Sequence, residues 1–177
     1  MQGVAPRILG EKRLDRLLDL WRAGCGPDGA PPPRQGFVDP VRFGADLLPF
    51  MVLVDADPDG KRFRFRLCGT MLAVHAGIDL TGRYIDEVNP NRSYSEYVSG
   101  LYGISADRRR PVYSETRYVY KQRDGLTRRL ICPLLNAEGL VRHFAGAQIF
   151  TLESGGEGPT YTFADNFSPG SMEVIEV

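Results

Sequence analysis

Apolar positions change their spacing several times along the chain, and each change marks an element. In EKRLDRLLDLWRA (11 to 23), Leu14, Leu17, Leu18 and Trp21 fall at i, i+3, i+4 and i+7. That is the stripe of an amphipathic helix with its charges behind it. Gly24 and Gly26 stop the helix, and in GPDGAPPPRQG (26 to 36) the prolines 31 to 33 cannot continue one. This connector is expected to hold the helix slightly apart, as a cap or a dimerisation arm. Asp39 before Pro40 predicts a short helix over 40 to 47, with the carboxylate as N-cap and the proline at the first helical position. Phe50 to Val54 reads as a buried strand closed by the turn DADPDG. From Arg62 to Leu67 the period is two, with Phe63, Phe65 and Leu67 on one face and Arg62, Arg64 and Arg66 on the other. The two strands predict an antiparallel hairpin with one wet face. Three arginines there suit an edge strand, and the sharper reading of the same face is a phosphate or acidic-partner site.

Between Gly69 and Pro111 the two-residue period disappears. Short segments follow, at 70 to 76 and in GIDLTGRYIDEV (77 to 88), then a longer helix from about Ser93 to Arg108. Tyr94, Tyr97, Val98, Leu101 and Ile104 give that helix its apolar face. Strands return at 112 to 121, 127 to 135 and 141 to 151, with Asp124 and Gly125 in the first turn and Asn136 to Gly139 in the second. Helix, two strands, short helices, three strands is an α+β order, with one antiparallel sheet and its helices gathered on one face. From 153 the composition turns to Gly, Ser, Pro and acid, which predicts a mobile tail. Within it TYTF is a brief candidate extension of the sheet. MEVIEV is expected to fray, with a strand added to a partner's sheet edge as the alternative.

A chain of 177 residues and 19.7 kDa can build one proper core. The division expected is an N-terminal helix and connector over 1–36, a domain over 37–152 and an acidic tail over 153–177. Lys plus Arg and Asp plus Glu balance at 22 each, but residues 151 to 177 hold five acids and no base. The body is therefore mildly basic, too thinly so for the basic stripe of a nucleic-acid binder. No apolar run reaches the length of a membrane span or a signal peptide, so no membrane partner and a cytoplasmic setting are expected. Cys25, Cys68 and Cys132 are odd in number and widely spaced, which argues against a disulfide framework and against a paired zinc site; no metal is expected. There is no G-x-S-x-G elbow, no Cys–His signature and no glycine-rich phosphate loop before a helix, so the chain is not expected to be an enzyme. No kinase or cyclase domain is expected within these 177 residues.

LLPFMVLVDAD (47 to 57), FRFRLCGT (63 to 70), GIDLTGRYIDEV (77 to 88), the helix ending in RRRPV (108 to 112) and ICPLL (131 to 135) stand in the order of a PAS domain. With the opening LLDLWRAG, the PPR and the DP, the chain resembles the stand-alone PAS family found mostly in alphaproteobacteria, over about residues 11 to 152. The resemblance implies a PAS-like five-stranded antiparallel sheet, short helices on one face enclosing a small cavity, an N-terminal cap helix, and a sensory or interaction role. The haem-binding members take an axial His from the long helix, and 93 to 108 holds none; NPNRSYSEY lacks the cysteine that light-sensing flavin members need. The cofactor is thus unknown, with haem and flavin disfavoured.

A mostly apolar pocket with a few convergent polar groups suits a small organic acid or an aromatic compound. The cavity candidates are His75, Tyr94, Tyr97, Tyr118, Cys132 and Gln148. Arg117 and Tyr118 cannot both face inward, and Tyr118 is favoured because Arg is rarely buried unpaired. Leu14, Leu17, Leu18 and Trp21 are the candidates for a homodimer interface or a cap on the outer sheet face. The expectation is a cytoplasmic PAS sensor that binds a small molecule and signals to a separate output protein through dimer or partner contacts. The alternative is a ligand-free adaptor working by protein contacts alone.

Overall fold

In the computed structural model, which describes residues 9–89, 91–120, 123–152 and 167–176, the apolar stripe of the first helix is spent within the chain. Helix α1 (Lys12–Gly24) starts where the Glu11 carboxylate accepts the Arg13 amide, and Leu14, Leu17, Leu18 and Trp21 are all fully buried. Trp21 donates its indole N–H to the Pro133 carbonyl at 2.7 Å, which pins the helix to the sheet. Of the two readings of the stripe, dimer interface or cap on the outer sheet face, the residues pack as the cap. A stripe already covered by its own sheet offers nothing to a second copy unless the helix leaves.

The connector is docked rather than held apart. It runs through a short turn, α2 (Arg34–Phe37), in which Gln35 and Gly36 leave helical geometry, and the Leu135 amide donates to the Pro32 carbonyl at 2.9 Å. The Asp39 cap forms as expected, its carboxylate accepting the Val41 amide at 2.9 Å. The helix it starts, α3 (Pro40–Phe43), is shorter than 40 to 47 because Gly44 takes a φ of 76° outside the helical region. Phe37 and Phe43 meet edge to face beneath this segment.

Strands β1 (Met51–Ala56) and β2 (Phe63–Cys68) form the first hairpin. Helices α4 (Thr70–Ala76), α5 (Ile85–Val88) and α6 (Arg92–Arg108) then cross to β3 (Val112–Tyr120), β4 (Arg123–Leu135) and β5 (Val141–Leu152). A sixth strand, β6 (Phe167–Val174), follows, and the antiparallel order is β2-β1-β5-β4-β3-β6. The α+β class stands, with six strands where five were expected. The extra strand comes from the segment read as part of a mobile tail. MEVIEV does not fray at its start: Met172 to Val174 close β6 against the chain's own β3, and Ile175 is buried just beyond. TYTF lies outside the described residues.

Two further expectations shift. Leu67 does not share a face with Phe63 and Phe65, because a bulge opposite Leu53/Val54 absorbs Arg66 and turns Leu67 outward, 44% exposed. Asp124 and Gly125 are not in a turn; they belong to β4 and pair with Val119 and Tyr118. Helices lie on both faces of the sheet, α1 on the outer face over β4 and β5, and α4 to α6 on the inner face. The inner core is aromatic at its base, where Tyr102 of α6 meets Phe63 and Phe144 at 5.4 and 5.1 Å between ring centres.

Candidate functional site

The strand register sorts the inner face into rows. Tyr118 pairs with Gly125; Thr116 with Thr127, and Thr127 with Phe150; Ser114 with Arg129, and Arg129 with Gln148. Below them, Val112, Ile131, Gly146 and Val52 form an apolar row. Cross-strand partners share a face, so a polar band of Ser114, Thr116, Thr127, Arg129 and Gln148 lies over an apolar floor. All five are at most 4% exposed.

Arg129 is the centre of this band. Its guanidinium is buried, 1% exposed, and donates from Nη2 to the Tyr94 hydroxyl of α6 at 2.8 Å and from Nη1 to Ser114 Oγ at 3.3 Å. A buried guanidinium is costly to desolvate and is kept where its donors are used. The sheet's carboxylates among the described residues, Asp55, Glu115, Asp124 and Glu173, stand in the rows of the outer face. There Glu115 accepts from Tyr113 and pairs with Arg128, and Asp55 meets His143 Nδ1 at 2.7 Å.

Four of the six cavity candidates, His75, Tyr94, Tyr118 and Gln148, lie along this face. His75 of α4 is buried with its ring edge-on to Phe150, 5.0 Å between centres. Tyr94 holds Arg129, Gln148 sits beside it in register, and Tyr97 packs on the core from the same helix as Tyr94. Tyr118 is 4% exposed, and the far end of its ring lies against Gly125, where a Cβ would overlap it. Arg117 is exposed, as the alternation required. Burial pushes the Tyr118 hydroxyl up to about 12, so at neutral pH it is a donor.

Cys132 is the correction. It lies on the outer face with Leu130 and Leu134, beneath α1 and near Cys25 and Arg22, and its complete burial pushes the thiol well above its ordinary value. Arg129, three residues earlier and on the other face, was not among the expected site residues. Three hydroxyls of the inner side, Thr116 Oγ1, Tyr118 OH and Ser95 Oγ of α6, are buried with no hydrogen-bond partner among the described residues. Such groups are few in folded proteins and need an account.

On the arginine face of β2, Arg62 is spent within the chain, and Arg66 stands 3.9 Å from Asp55. Arg62 forks onto Asp86 at 2.9 and 2.8 Å, reaches Glu87 at 2.7 Å and stacks over the Tyr84 ring at 3.8 Å. Its hydrogen bonds hold Asp86 below the usual carboxylate range. The charge joins β2 to α5 instead. Among the described residues no cluster of His, Cys, Asp and Glu is arranged for a metal ion, and no helix is long and apolar enough to cross a membrane.

A single antiparallel sheet with helices over a face that holds a buried polar band is an α+β module. The chain belongs to the PAS domain family, whose profile matches residues 11–149. No curated protein matches it.

Proposed function

We propose that the protein is a cytoplasmic PAS sensor that binds a small molecule against the inner face of its sheet and reports it to a separate protein. The buried polar band around Arg129 carries this reading, above all the hydroxyls of Thr116 and Tyr118, which have no partner among the described residues. Leaving buried hydroxyls unsatisfied costs stability, and a ligand that accepts or donates at them removes that cost. The output route supported best runs through β3. Ser114, Thr116 and Tyr118 face the band, and their own backbone pairs with Met172, Pro169 and Phe167 of β6. From Ser168 to Met172, β6 is exposed, so a shift of β3 is felt on an accessible strand.

Native mass spectrometry of the full chain purified from its own host tests the reading. The expected result is an adduct of defined small-molecule mass that is released on denaturation. A bare polypeptide mass in every preparation overturns the ligand claim and leaves the interaction role to protein contacts alone.

A further inference from the structure

Helix α6 carries two glycines that its own chain does not explain. Gly100 and Gly103 lie inside a 17-residue helix, where glycine is less favourable than any other residue except proline. Neither takes a positive φ, and a Cβ added at either meets nothing within 4 Å. Elsewhere the fold gives a glycine its reason: at Gly69 a Cβ would overlap the Pro49 carbonyl. We propose that this face of α6 is the contact surface for a second copy of the chain, the two α6 helices crossing antiparallel with the glycines at the crossing. The inference goes beyond the sensor reading and does not depend on a ligand.

Arg92, Glu96, Ser99, Gly103 and Asp107 follow one another at four, three, four and four residues, a single stripe along α6 with Gly100 beside its centre. Its middle is small, which lets two backbones approach at the short end of helix packing distances. A two-fold axis passing between Ser99 and Gly100 sets Ser99 opposite Gly100 of the second copy, Glu96 opposite Gly103, and Arg92 opposite Asp107. The ends are complementary in charge. The Arg92 side chain is 91% exposed and pairs with Glu96 of its own surface, while exposed Asp107 has no ion pair among the described residues. Each copy therefore meets the other plus to minus at both ends of the crossing.

A second observation lies on the flank of the stripe. A cleft of about 800 Å³ opens there between α6, α5 and the β1–β2 turn, and Ser95 and Ser99 line it. Ser95 is 3% exposed, and its hydroxyl has no partner among the described residues. Such a group is satisfied from outside the chain, and the cleft is the room beside the crossing for side chains of the second copy. Two helices of this length cover little area, so the dimer belongs to the weak, transient class.

The test is sedimentation of the full chain from about 5 µM to about 1 mM, with melting temperature taken at the dilute end. The parent is expected to pass from monomer to dimer. Gly100→Gln and Gly103→Gln fill the crossing with a good helix former. Each is expected to weaken the dimer about tenfold and to raise the melting temperature of the monomer by about 1–3 °C. Arg92→Glu and Asp107→Arg are each expected to weaken the dimer alone. An equal mixture of the two is expected to restore it, because opposite charges then meet at both ends.

The proposal is overturned by a monomer at every concentration, by glycine variants that dimerise like the parent, or by a mixture no better than its components. Glycine variants that melt lower than the parent also overturn it, because the face would then be covered within one chain. None of these outcomes touches the sensor reading, which stands or falls on the mass of a resident molecule.

Discussion

Under α1, strands β4 and β5 present Leu130, Cys132, Leu134, Ala145 and Ala147, while across the same sheet Ser114, Thr116, Thr127, Arg129 and Gln148 stand equally buried. The outer face meets four apolar side chains of α1, and the polar atom that enters with them, the Trp21 indole nitrogen, ends on a carbonyl. The inner face keeps hydroxyls whose burial costs free energy and whose partners are not all found among the described residues. A fold needs a face of the first kind. The second kind adds nothing to folding that an apolar row would not supply better, so its residues answer to something besides stability.

The widest gap between the faces is expected at Leu17. It is fully buried within one chain, so Leu17→Ala should cost about 2–5 kcal/mol of monomer stability in urea, and Leu17→Asp should leave the chain largely unfolded. An intermolecular stripe would behave otherwise, giving a folded Leu17→Asp monomer in sedimentation. That outcome would return α1 to the dimer interface.

Next in size is Gly125→Ala on the inner face. The new methyl would meet the end of the Tyr118 ring, so either the ring or the β3–β4 pairing must move, at about 1–3 kcal/mol in melting and urea titrations. Tyr118→Val in the same chain removes the obstructing ring. A double-mutant cycle should therefore show the alanine costing less beside valine than beside tyrosine. Equal costs in both backgrounds would mean that the ring does not rest on Gly125.

The two faces were not equally legible in the sequence. Leu14, Leu17, Leu18 and Trp21 announce themselves by helical spacing, and the strand boundaries of β3 and β5 follow from alternation and turn residues to within a residue. The number of strands was not legible, because β6 is built from exposed polar positions whose pairing is decided by an open backbone edge at β3. Nor was the bulge at Arg66, since a strict alternation of Phe and Arg carries no mark of an inserted residue. Arg129 was not legible for a related reason. Strands at 112 to 121 and 127 to 135 leave an odd-numbered loop in which partners share parity, so placing Tyr118 inward takes Cys132 inward with it. Tyr120 instead pairs with Arg123, partners have opposite parity, and Arg129 comes inward while Cys132 goes out. The error in the turn, with Asp124 and Gly125 read as loop rather than strand, therefore became an error in the face.

The finest separation of the faces comes from deleting one polar atom on each. Trp21→Phe keeps a ring in the outer core but removes the N–H that reaches the Pro133 carbonyl, and a partnered buried group loses its partner. About 1–3 kcal/mol of stability should go with it. Thr116→Val removes a hydroxyl that has no partner among the described residues, at a position 1% exposed on a central part of β3. Valine has nearly the same shape and suits a strand as well as threonine does. Here the change takes away a desolvated dipole and leaves no orphan, so ligand-free stability should stay level or rise by up to about 1 kcal/mol in urea denaturation. Opposite signs from two single-atom deletions would separate a face built to hold the fold from one built to hold something else. A loss at Thr116 as large as that at Trp21 would instead make its hydroxyl part of the architecture, and the polar band would then need no ligand to explain it.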